Sequence, residues 1–296
     1  MSKLYDAIMK AQREQAAQKE GTKPSEPEPE PQSPEQVVEA DQKTPIWDAK
    51  SEITPKEEKA QVVYEKSGSV TVGEFVAKPD SLMAEQFRKL RGTITTRNLI
   101  RPLRSVLVTS CMPGEGKTKV AVNLSVAIAR GLDDSVMLVD ADIRKRSLST
   151  LLGLQDRLGL SDVLAGRAGI HEIVINTEIE GLRILPAGSN PPNPAELIVS
   201  TRMKTLLQRL KEGYNNSHIL IDSTPIVSTS EVNVLSQMVD GIIVVIMADR
   251  TRRDLVKREL NTINPEKILG VVLNCAEFET SDYYHKYHKY YYGGKK

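Results

Sequence analysis

The stretch SVLVTSCMPGEGKT, residues 105 to 118, decides the fold. Its first six residues are mostly apolar and β-branched without polar alternation, the pattern of a strand buried on both faces. Pro113, Gly114 and Gly116 then break the strand, and KVAVNLSVAIARG continues to Gly131 with the period of an apolar-faced helix. Strand, glycine-rich loop and helix in this order make a phosphate cradle. Glycines let backbone N–H groups curl around phosphate oxygens, and the helix start adds positive dipole. Lys117 is long enough to reach outer phosphates, and Thr118 offers a hydroxyl to magnesium. Pro113, Gly114, Glu115, Gly116, Lys117, Thr118 and Lys119 are accordingly the expected nucleotide-binding residues, with ATP and Mg2+ as ligands. The strict pattern has Gly at position 111; Cys111 is small and reads as a filler rather than a reactive thiol.

Further strands follow along the chain: SVMLVD at 135 to 140, LRILPA at 182 to 187, HILID at 218 to 222, GIIVVIMA at 241 to 248 and ILGVVLN at 268 to 274. Near-continuous apolar strands separated by helical segments predict a doubly wound α/β domain with a mainly parallel sheet. Ligands in such sheets sit at the carboxyl ends of strands. Two acidic groups occur there, Asp140-Ala-Asp142-Ile-Arg144 after one strand and Asp222 closing another. Alternation along an extended segment predicts that Asp140 and Asp142 point the same way, toward the phosphate loop. Oxygen ligands of this kind suit magnesium, and one carboxylate is left to accept a hydroxyl proton.

The whole chain has 296 residues, with 40 Lys+Arg against 39 Asp+Glu, so no bulk field favours nucleic acid or an anionic membrane. No apolar run is long enough to cross a bilayer and the start lacks a signal peptide, which predicts a cytoplasmic protein with free thiols at Cys111 and Cys275. Residues 1 to 17 read as a short helix with Leu4, Tyr5, Ile8 and Met9 on one side. Residues 18 to 78 are rich in Glu, Pro, Lys and Gln and read as a flexible tether. The folded domain is expected over 79 to 278, followed by a tail from 279 to 296 that holds six of the nine tyrosines.

These residues resemble the bacterial tyrosine kinases of polysaccharide export, in their single-chain cytoplasmic form. PGEGKT is similar to that family's Walker A motif, VMLVDADIR at 136 to 144 to its Walker A′ motif, and ILID at 219 to 222 to its Walker B motif. EQFRKLR, containing Glu85, Arg88 and Arg91, resembles its oligomerisation signature, and the similarity runs over about residues 79 to 278. One departure is Ser223-Thr224-Pro225-Ile226, where the family has Thr or Ser followed by two prolines.

The resemblance implies a P-loop fold and an ATP-dependent tyrosine autokinase that acts on Tyr283, Tyr284, Tyr287, Tyr290, Tyr291 and Tyr292. The chemistry of phosphoryl transfer puts Lys117 on the phosphates, Thr118, Asp142 and Asp222 on magnesium and Asp140 as proton acceptor, with Asp140 and Asp142 able to exchange roles, and the resemblance puts Arg144 and Asn274 on the nucleotide. It further implies a ring of subunits, a transmembrane activator of polysaccharide polymerisation that recruits the chain to the inner face of the membrane, and a tyrosine phosphatase. No nucleic-acid partner is implied. The rival is a ParA- or MinD-type ATPase that works as a positioning switch; such proteins carry a signature lysine where this chain has Met112.

Overall fold

A computed structural model describes residues 70–73, 76–79, 81–131, 135–214 and 217–276. The expected N-terminal helix, nearly all of the tether and the tyrosine tail lie outside them. Helix α1 (Leu82–Ile100) opens on Ser81, whose Oγ accepts the Ala84 N–H at 3.2 Å, with Glu85 in the first turn against the helix dipole. Strand β1 (Ser105–Ser110) leads through the glycine loop into α2 (Lys117–Ala129). Strand β2 (Ser135–Asp140) follows, then the short helices α3 (Ser147–Leu151), α4 (Leu160–Leu164) and α5 (Ile170–Ile173). The chain continues through β3 (Ile175–Asn176), β4 (Leu182–Leu185), α6 (Pro194–Val199), α7 (Thr201–Gly213) and β5 (Ser217–Asp222). It ends on α8 (Glu231–Met238), β6 (Gly241–Met247), α9 (Arg253–Leu260) and β7 (Ile268–Asn274).

The seven strands lie in the order β3-β4-β2-β5-β1-β6-β7, parallel except for β3, which pairs antiparallel with β4. The mainly parallel doubly wound sheet is thus the one the apolar runs predict. β3 was not legible because two residues are too few to show a period. The run LRILPA stops pairing at Leu185, before Pro186, which has no N–H for a ladder.

Strand alternation sorts the core into two layers. Val106, Val108, Val136, Leu138 and Val245 meet Val120, Leu124 and Ile128 of α2 on one face. Leu107, Met137, Val139, Ile219 and Val244 meet Leu206, Leu207 and Leu210 of α7 and Val232 and Leu235 of α8 on the other. The sheet is therefore covered on both sides, as near-continuous apolar strands require.

The folded body also begins earlier than residue 79. Val70 bridges Thr177, Val72 is fully buried, and the N–H groups of Val72 and Gly73 both donate to Glu178 Oε1 at 2.7 Å. A tether boundary drawn on composition misses this, because one buried valine and one carboxylate acceptor suffice to hold a polar segment. Among the described residues no helix is long and apolar enough to cross a membrane.

The segment GSNPPNPAELI at 188 to 198 joins the body through Asp162, which is buried and accepts from Gly159 N–H at 3.0 Å and from Ser189 N–H and Oγ–H at 3.0 and 2.7 Å. Gly188 has φ +86°, and a Cβ there would lie 2.5 Å from Asp162 Oδ2 and 2.6 Å from Ser161 Oγ. Gly188→Ala is expected to lower stability by about 2 to 4 kcal/mol, through left-handed strain and disruption of this network. Urea unfolding of the two proteins measures it.

Candidate active site

The phosphate loop occupies the gap between β1 and α2, with Gly114 and Gly116 both at φ +86°. Only glycine adopts this conformation without strain, and at Gly116 there is a second constraint: a Cβ would fall 2.2 Å from Asn274 Nδ2. Asn274, at the end of β7, donates to the Glu115 carbonyl at 2.8 Å and so touches the loop directly. Cys111 is fully buried in the core, and burial, reinforced by the charge of Glu115, pushes its thiol pKa up to about 12. It is a filler, as its size suggests. Pro113, Gly114 and Lys119 are exposed, whereas Glu115 is buried and its carboxylate bonds to the ends of neighbouring segments.

The acidic residues converge on Lys117. Its Nζ lies 3.2 Å from Asp142 Oδ2, 3.4 Å from Thr118 Oγ1 and 3.8 Å from Asp222 Oδ1. This meeting follows from the sheet: β2 and β5 are neighbours with Asp140 opposite Asp222, and β5 lies beside β1. Asp140, the last residue of β2, and Asp142, just beyond it, take different hydrogen-bond partners. Asp140 Oδ2 accepts from Ser149 N–H at 2.8 Å and Ser149 Oγ–H at 2.7 Å, at the start of α3. Its Oδ1 accepts the Asp142 N–H at 3.2 Å. Asp142 Oδ1 accepts the Lys145 N–H at 3.1 Å and turns the other oxygen to Lys117.

All three aspartates are sealed from solvent. Burial raises the Asp140 pKa to about 6 although the Ser149 bonds pull it down. It raises that of Asp222 to about 7, with Lys117 lowering and Asp140 raising it. Neither carboxylate oxygen of Asp222 has a hydrogen-bond partner. Two orphaned buried oxygens beside a hydroxyl and a lysine fit a hard divalent cation, whose ligands are of this kind.

The remaining expected residues fall elsewhere. Arg144 reaches across to α8, where its Nε and Nη2 donate to Glu231 Oε1 at 3.1 and 2.9 Å. Glu85 and Arg88 pair with each other at 2.7 Å on α1, Arg88 also donates to the Pro79 carbonyl, and Arg91 donates to the Ala127 carbonyl of α2. The tail tyrosines lie outside the described residues. Sequence reasoning missed Ser149 and Glu231, which hold Asp140 and Arg144; Glu231 lies 87 positions from Arg144, and Ser149, nine from Asp140, carries no signature of its own.

Residues 103–296 match the ParA family described as NUBPL iron-transfer P-loop NTPase. Over 215 residues the chain is 33% identical to the tyrosine-protein kinase YwqD of Bacillus subtilis strain 168, covering 72% of this chain and 89% of that one. Over 218 residues it is 30% identical to the putative tyrosine-protein kinase CapB of Staphylococcus aureus, covering 73% and 92%. The crystal structure of the chimerical protein CapA2B2 superposes with a TM-score of 0.64 at 31% identity, over 72% of this chain and 94% of that one.

Asp140 and Asp222 hold protons more tightly in the folded chain than in the unfolded one, where the value is near 3.8. Their contribution to stability is therefore full below about pH 4 and is lost as pH rises through 6 and 7. Asp222→Asn, studied without nucleotide, is expected to melt above the parent protein at pH 8 and close to it at pH 4. Scanning calorimetry at the two pH values checks this.

Proposed function

The chain belongs to the bacterial tyrosine kinases within the P-loop NTPases and is a protein-tyrosine kinase, and we propose that it transfers the γ-phosphoryl group of ATP to tyrosines of its own tail. The acceptors are drawn from Tyr283, Tyr284, Tyr287, Tyr290, Tyr291 and Tyr292. The observation that carries the reading is the convergence of Asp142 and Asp222 on Lys117 beside the phosphate loop, with the oxygens of Asp222 unpartnered. In transfer, the tyrosine oxygen forms a bond to the γ-phosphorus, the bond to the bridging oxygen breaks, ADP departs and the phenol proton is passed to a base. Phosphoryl transfer of this kind needs little covalent help and much charge neutralisation.

Gly114 and Gly116 shape the loop, and Lys117 shifts from its carboxylate partners onto the phosphates. Thr118, Asp142 and Asp222 would hold magnesium, which would supply positive charge to offset that of the phosphates. Asp140 accepts the proton. Its raised pKa makes it a stronger base than an ordinary carboxylate, and its Oδ1, with one N–H donor at 3.2 Å, keeps a lone pair for a phenol. Asp140 is sealed, so the phenol must gain access to it before the proton passes. Asn274 is assigned to the nucleoside and Arg144 to the nucleotide, with Glu231 holding the Arg144 guanidinium.

Several outer features complete this reading. Glu85, Arg88 and Arg91 form a polar face of α1 that exchanges its internal pairs for pairs with a neighbouring subunit in a ring. One tail enters a neighbour's site, and added phosphates, each of about −1.5 to −2 charges, drive the ring apart. The chain works at the inner face of the membrane with a transmembrane activator of polysaccharide polymerisation and export, and a tyrosine phosphatase resets the tail. A ParA- or MinD-type positioning switch is less favoured: Met112 stands at the signature-lysine position, and the relatives at 30 to 33% identity are named kinases.

Lys117→Met is expected to lower phosphotyrosine formation by about 100-fold or more, measured by labelling purified protein with ATP and magnesium. Ordinary labelling in that variant would remove Lys117 from the mechanism. Mass in solution is expected to fall after the same incubation of the parent protein; unchanged size despite a phosphorylated tail would exclude the release step.

A further inference from the structure

We propose that Glu115 is a positioning residue whose buried carboxylate couples the nucleoside side of the site to the shape of the phosphate loop. Glu115 is 3% exposed. Its Oε2 accepts the Met112 N–H at 2.6 Å, inside the loop. Its Oε1 accepts the Met247 N–H at 3.2 Å, at the end of β6, and the Thr251 hydroxyl beyond it. The carbonyl of the same residue accepts from Asn274 Nδ2, at the end of β7. One residue therefore links the loop to the carboxyl ends of two strands.

Those strand ends lie where a nucleoside must go. The carboxylates that meet Lys117 follow β2 and β5, on one side of β1 in the sheet, so the outer phosphates belong on that side. A triphosphate running along the loop then carries its sugar and base toward the other side of β1, which is β6 and β7. The turns there are fixed: Ala248 N–H donates to the Asn274 carbonyl at 2.8 Å, and Asp249 and Cys275 both take left-handed φ of 56°. Non-glycine residues in that conformation persist only where their surroundings hold them.

The carboxylate is also the one side chain whose chemistry matches its partners. Met112 N–H, Met247 N–H and the Thr251 hydroxyl are three donors, and an ionised carboxylate accepts at both oxygens. Glutamine would set an NH2 group against at least one of those donors, and a shorter side chain would leave them unsatisfied. A buried carboxylate without hydrogen bonds is strongly unfavourable, so its three bonds and its place are kept together. Binding at the β6–β7 end restrains Met247, Thr251 and Asn274, and through Glu115 the same restraint reaches Met112 and the glycine turns.

This inference rests on the nucleotide reading above, and the test separates the two. Thr251→Val removes one donor outside the phosphate loop, and Glu115→Gln changes the acceptor itself. Binding of ATP and of inorganic tripolyphosphate, each with magnesium, is measured by titration calorimetry on the full chain. The parent protein is expected to prefer ATP, and each variant to lose about fivefold or more of that preference, with Thr251→Val melting near the parent and Glu115→Gln below it. Equal losses for both ligands, or an unchanged preference, would overturn the coupling and leave Glu115 a structural brace. A parent protein that binds neither ligand would overturn the nucleotide reading and the inference with it. Thr251→Val decides the matter where Glu115→Gln does not fold.

Discussion

Three carboxylates and one ammonium group share a sealed space at the ends of β2 and β5, and this charge imbalance organises the protein. Asp140 resolves its part of the problem locally, with three hydrogen bonds from Ser149 and the Asp142 backbone. Asp142 resolves its part with Lys117 and the Lys145 N–H. Asp222 has Lys117 at the longer distance of 3.8 Å and no hydrogen bond to either oxygen, and burial lifts its pKa to about 7. A structural ion cluster would have satisfied this group, since leaving it orphaned is costly. The cost is understandable in a site built to receive a cation and a polyphosphate together.

The rest of the fold serves to keep these groups in register. Parallel pairing of β2 with β5 sets Asp140 opposite Asp222, and pairing of β5 with β1 brings both next to the loop. On the far side of β1, β6 and β7 deliver Met247 and Asn274 to Glu115. The loop is thus held from both flanks of its own strand, by charge on one and by neutral donors on the other. Gly116 has no room for a side chain because Asn274 takes that space.

Away from the site, the polar face of α1 is internally satisfied. Arg88 is engaged by Glu85 and the Pro79 carbonyl, and Arg91 by the Ala127 carbonyl. Assembly through these residues therefore exchanges pairs rather than adding them, and partly exposed pairs contribute little individually. An interface of this chemistry is readily reversed, which suits the proposed ring.

The sequence by itself determined the parallel sheet, the phosphate loop and the strand-end acids, because each is written locally in periodicity, glycine spacing or a residue at a strand's last position. The family was legible for the same reason, through three short motifs in order. What only the tertiary structure decided are relations across the sheet. Arg144 finds Glu231, 87 positions away, and Glu115 turns inward to Thr251, 136 positions away. Val72 packs into the core from within a polar stretch. None of these pairs has a local signal, since strand order brings them together and strand order is a property of the folded chain alone.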